Sequence, residues 1–96
     1  MQVTDIDINE VKTGMILIDN NGIKYVVIET NLNGDDEYFS RLRLISEEEY
    51  LQHKGKNISE EDLETSKWIE EFEYRREYKV CTDQYKEVNI ERIFWF

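Results

Sequence analysis

Gly-Met-Ile-Leu-Ile-Asp-Asn-Asn-Gly-Ile-Lys-Tyr-Val-Val-Ile-Glu-Thr, running from Gly14 to Thr30, sets two apolar, β-branched runs on either side of Asp19-Asn20-Asn21-Gly22. Asn and Gly tolerate the positive φ that tight hairpin turns require, so the stretch predicts a β-hairpin. In its second strand Tyr25 and Val27, with Ile23, share one face, and Lys24, Val26 and Ile28 share the other. A strand apolar on both faces belongs in the middle of a sheet or in a barrel wall. The rest of the chain has to supply strands to pair with this hairpin and side chains to cover it.

Working outward, Val3, Ile6, Ile8 and Val11 alternate weakly among polar residues and predict an entry strand or an ordered lead-in. On the other side, Asn31 to Asp36 reads as a loop and Glu37 to Ile45 as a third strand. There Tyr38, Ser40, Leu42 and Leu44 face one way, while Phe39, Arg41 and Arg43 face the other, placed to pair with acids on a neighbouring strand. Ser46-Glu47-Glu48-Glu49 carries a capping-box signature, three acids that suit a helix N-terminus, and a stop at Gly55. Ser59-Glu60-Glu61-Asp62 is a second, similar start. From Trp68 to Cys81 a period of two gathers Trp68, Phe72, Tyr74, Tyr78 and Val80 on one face, which predicts a long strand whose first residues are open to helix. Thr82 to Gln84 reads as a turn. Tyr85 to Phe96 reads as a last strand that ends on Ile93-Phe94-Trp95-Phe96.

The segment Glu10 to Glu29 resembles the opening hairpin of SH3-like barrels, most of all the N-terminal domain of elongation factor P and KOW-type modules. The resemblance rests on Gly14 before one strand, Gly22 closing the turn, and Tyr25-Val26-Val27 after it. It implies a barrel-like fold and nothing of the function. Such modules are usually basic, and the elongation factor carries a functional lysine in a later loop, where Asn31 to Asp36 here has two aspartates and no lysine. Together the readings predict an α+β, mainly β domain spanning residues 1–96. It is a small bent antiparallel sheet or partial SH3-like barrel, with one or two short helices inserted around residues 46–66. The Lys-, Ile- and Asn-rich, Pro-free composition is similar to that of small accessory proteins of AT-rich bacteria or their phages.

A chain of 96 residues buries roughly 60–65% of the surface exposed when unfolded, enough for one thin core and no deep substrate cavity. Cys81 is the one cysteine, so there is no intrachain disulfide. The N-terminus lacks the basic start and apolar run of a signal peptide, and no apolar run reaches membrane-span length, which predicts a cytoplasmic protein. The net charge is −10. Residues 46–73 hold ten acids and three bases, net −7, while residues 74–96 are net +1. This distribution repels nucleic-acid phosphates and attracts basic surfaces.

No motif for catalysis, metal binding or cofactor binding stands out. His53 is the single histidine and sits at a helix end; Cys81 reads as a buried or edge-strand thiol. Asp19 to Gly22 and Asn31 to Glu37 offer oxygen ligands, but not at calcium-loop spacing. Aromatics interleaved with Arg75, Arg76 and Lys79 could build a nucleic-acid platform, but they are also the obvious core donors. The sequence therefore predicts no enzyme, cofactor or metal. It predicts a protein-binding surface made of Glu47, Glu48, Glu49, Glu60, Glu61, Asp62, Glu64, Glu70, Glu71 and Glu73. The partner is a protein with a basic surface, such as a nucleic-acid-binding enzyme blocked by carboxylates that imitate phosphates; neither direct nucleic-acid binding nor a membrane enters. The alternative is an assembly module in which Phe94, Trp95 and Phe96 form a homodimer interface.

Overall fold

The hairpin forms where the sequence places it. The computed structural model describes residues 3–32, 40–54 and 60–84. Its elements are β1 (Val3–Thr4), β2 (Met15–Asp19), β3 (Lys24–Asn31), β4 (Arg41–Ser46), α1 (Glu47–His53), β5 (Lys67–Glu70), α2 (Glu71–Glu77) and β6 (Tyr78–Gln84), with single 3-10 turns at Ile8–Glu10 and Glu60–Asp62. In the β2–β3 turn only Gly22 takes positive φ, +82°; the asparagines do not. The Asp19 carboxylate does the rest, accepting from the Asn21 and Ile23 amides at 2.9 Å each, so an Asx contact and one left-handed glycine close the loop.

All pairings are antiparallel, in the order β1-β6-β2-β3-β4-β5. The middle of the sheet is buried on both faces. On the inner face Leu17, Val27, Leu42, Leu44, Ile69 and Val80 pack with Ile8, Val11, Tyr74 and Tyr78. On the other face Cys81, Ile16, Val26 and Ile45 lie side by side across four strands, all buried. The two-faced pattern of β3 therefore marks a central strand, as read from its sequence. The lead-in strand is real but only two residues long, paired to Val80 and Cys81.

The long strand expected from Trp68 to Cys81 is not formed. β5 stops at Glu70, α2 occupies Glu71–Glu77, and β6 starts at Tyr78. The helix is favoured by acids Glu71 and Glu73 in its first turn and Arg75 and Arg76 in its last. Glu71 pairs with Arg75 one turn on, at 3.1 Å. Its buried stripe is Glu71, Tyr74 and then Tyr78 just past its end, while Phe72, assigned to the core by period two, is 55% exposed.

Because β5 and β6 are four places apart, a flat sheet would separate them by about 19 Å. The seven residues of α2 reach only about 10 Å. The sheet therefore curls, helped by register shifts between Val27 and Glu29 and between Met15 and Ile16. Among the described residues β5 pairs only with β4 and β1 only with β6, so the curled sheet stays open. The strand expected over Tyr85–Phe96, with its interface residues Phe94, Trp95 and Phe96, lies outside the described residues, as do the start of the third strand at residues 37–39 and Gly55.

Candidate binding surface

The acidic segment is organised by one of its own members. Ser46 caps α1 as its sequence predicts, accepting from the Glu49 amide at 3.1 Å. Glu49 does not close the reciprocal half of the capping box. Its carboxylate reaches across to the segment before β5, accepting from the amides of Glu64 at 2.7 Å and Thr65 at 2.9 Å and from the Thr65 hydroxyl. The Thr65 hydroxyl takes over the missing half and accepts the Ser46 amide at 2.9 Å. This exchange binds the start of α1 to the end of the 60–65 segment.

Glu47, Glu48, Glu61, Asp62 and Glu64 therefore come from two segments held together at Glu49 and Thr65. Glu48, Glu61, Asp62 and Glu64 are exposed and Glu47 is half-buried; of Glu60 only its place in the turn is described. Two of the ten predicted binding residues are placed differently. Glu49 is 6% exposed and Glu71 is 7% exposed, so the first serves as a tie and the second as the buried partner of Arg75. Glu70, exposed opposite Arg41, and Glu73, half-buried on α2, form a second group, at the far end of β5 from Glu64. Burial pushes the Glu49 carboxyl up, but the Thr65 hydroxyl, the Thr65 and Glu64 amides and the nearby His53 more than offset it, leaving its pKa below the usual carboxylate value.

Three other polar constellations lie among the described residues. On the outer face of β4 and β5, the Arg41 guanidinium stacks over Trp68 at 4.6 Å and that of Arg43 lies 5.8 Å away. Arg43 also donates to the Ser66 hydroxyl at 2.7 Å and lies 3.9 Å from Glu29, which for Arg43 is the cross-strand acid pairing the sequence anticipates. At the mouth of the inner face Tyr25 and Tyr78 meet edge to face at 5.8 Å. The Lys67 ammonium sits 4.3 Å from the Tyr25 ring and 5.6 Å from that of Tyr78, and the Tyr25 hydroxyl donates to Asp19 at 3.2 Å. Burial disfavours the Lys67 charge, but the Tyr78 and Tyr25 phenols more than compensate and raise its pKa. The third is a cleft of about 530 Å³ between residues 5–8 and α2 with the start of β6.

The cleft reads as a docking seam. Lys79 pairs with Asp5 at 2.9 Å, Arg75 with Glu71 at 3.1 Å, and the Tyr74 hydroxyl donates to the Ile6 carbonyl at 2.6 Å. Its polar groups thus satisfy one another. Burial and the carboxylates of Asp5, Asp7 and Glu10 push the Tyr74 phenol up to about 12.

Cys81 is fully buried in β6, and His53 is half-buried at the end of α1. Among the described residues no three His, Cys, Asp or Glu side chains converge to hold a metal, and no described helix is long and apolar enough to cross a membrane. Compared with known proteins, the chain matches no family model, no curated protein and no solved structure.

Proposed function

We propose that this chain is a non-catalytic binding module that docks a rigid acidic surface on a basic face of a partner protein. The observation that carries the reading is the Glu49 tie, which fixes α1 to the 60–65 segment and so holds Glu47, Glu48, Glu61, Asp62 and Glu64 against one support. Carboxylates held on a fixed support lose little freedom on binding, and their summed field steers a cationic surface toward them. In the sharpest form the carboxylates stand in for phosphates on a nucleic-acid-binding enzyme and inhibit it, as phage-encoded inhibitors of host enzymes do. The strand order, with β6 returning to pair with β2 at the start of the β2-β3-β4-β5 meander, supports a partial SH3-like barrel as the scaffold. A cytoplasmic location belongs to the same proposal.

The test is capture of partners from the native cell by the tagged chain, beside a variant with Glu48→Gln, Glu61→Gln, Asp62→Asn and Glu64→Gln. A partner held at low salt, lost at high salt and not held by the variant supports docking, because raising ionic strength from 0.1 M to 1 M shortens the screening length from about 10 Å to about 3 Å. If that partner handles nucleic acid and is displaced by it, the mimic form stands. Binding that ignores both salt and the four substitutions overturns the proposal.

A further inference from the structure

We infer that the corner formed by Tyr25, Tyr78 and Asp19 is a receptor for an alkylammonium group, which Lys67 fills in the free protein and a lysine side chain of a partner can take over. Two aromatic faces set at 70° with centroids 5.8 Å apart make two walls. Cations favour the faces of such rings, and more so when partly desolvated. The Asp19 carboxylate supplies the counter-charge at the rim through the oxygen that accepts from Tyr25.

The corner does not depend on its present occupant. Asp19 is fixed by the backbone amides of Asn21 and Ile23. Tyr25 is fixed in turn by its bond to Asp19 and by Tyr78, which is 7% exposed. Lys67, by contrast, is exposed at the first residue of β5, and its ammonium meets the corner by ring contacts at 4.3 and 5.6 Å and through the Tyr78 and Tyr25 phenol oxygens. Replacing one ammonium by another keeps every contact of the corner and returns Lys67 to water, where a lysine is fully solvated. The exchange therefore opens no part of the core. The resident ligand is a primary ammonium on a four-carbon stem, which sets the ligand class.

The position suits a cationic partner. Tyr25 lies opposite Ser46, the cap of α1, and Lys67 follows two residues after Thr65, which is bound to Glu49. The corner thus opens at the end of the sheet that carries the first acidic group. The inference does not rest on the docking proposal, since small probes test it without a partner.

Lys67→Ala empties the corner, and n-butylammonium, the lysine side chain without its backbone, is titrated against it while the ring protons of Tyr25 and Tyr78 are followed by NMR. Saturable shifts are expected. They should be weaker by about tenfold or more in the wild type, where the tethered lysine competes at high effective concentration, and weaker by about fivefold when Tyr25→Leu is added. 1-Butanol, the neutral analogue, should produce none. Tetramethylammonium binding without butylammonium binding would replace a lysine with a small quaternary cation and overturn the ligand assignment. Absence of saturable shifts in a folded variant, or equal binding of 1-butanol, overturns the receptor. Should Lys67→Ala not fold, Lys67→Gln, which keeps most of the stem, carries the same titration. If neither folds, Lys67 is an indispensable lock and the inference fails.

Discussion

At the scale of single residues, Glu49 carries the most distinct expectation. It is buried and accepts three hydrogen bonds as an anion. Glu49→Ala leaves two amides and a hydroxyl without their acceptor and should cost about 2–3 kcal/mol in urea unfolding. Its folded pKa lies below the ordinary glutamate value of 4.5. Its contribution is therefore complete above about pH 4.5 and is lost as pH falls through the depressed folded value. Asp19 acts in the same direction. Burial raises its carboxyl, but the Ile23 and Asn21 amides, the Tyr25 hydroxyl and Lys67 bring it below 3.8. Stability measured against pH should fall on the acid side, and less steeply in Glu49→Ala, which no longer has that carboxylate to lose. The sequence marks Glu49 as one acid in a run of three. Its separate role depends on Thr65, sixteen residues away, which no local pattern links to it.

At the scale of elements, what local chemistry decides was legible and what the curl decides was not. The Asp19–Gly22 turn, the two-faced β3 and the Ser46 cap each follow from neighbouring residues, and each forms. α2 was missed because Tyr74 and Tyr78 are four apart, a spacing that fits both a strand face and a helix stripe. The residue that distinguishes them, Glu71, is charged yet buried, so it reads as solvent-facing. The hairpin offers a clean test. Gly22 has φ of +82° and nothing within 4 Å of an added Cβ. Gly22→Ala should therefore cost about 1–2 kcal/mol, purely through the backbone. For α2, Tyr74→Phe removes the bond to the Ile6 carbonyl while keeping the ring in the core. It should cost about 1 kcal/mol and speed amide exchange over residues 8–11 more than in β3.

At the scale of the molecule, charge and topology act together. Composition showed that the chain is acidic and where the acids concentrate. It could not show that they divide between the α1 end and α2, or that two of them are buried, because that division is set by where β5 ends. Neutralising Glu48, Glu61, Asp62 and Glu64 removes four negative charges from a net −10. Relief of like-charge repulsion should leave the melting temperature at low salt unchanged or higher, in contrast to Glu49→Ala, so loss of partner binding in this variant would report on the surface and not on the fold. The strand order has a further consequence, in time. β2 is covered on one side by β3, close in sequence, but on the other by β6, whose Val80 and Cys81 pair with Leu17 and Ile16. A chain emerging from the ribosome can assemble β2 to β5 early, yet it carries the unpaired edge of β2 until residue 84 is free. Such long-range closure is slow, and it leaves an adhesive strand open to neighbouring chains. Nascent chains halted before β6 should bind holding chaperones, and chains released just beyond it should let them go.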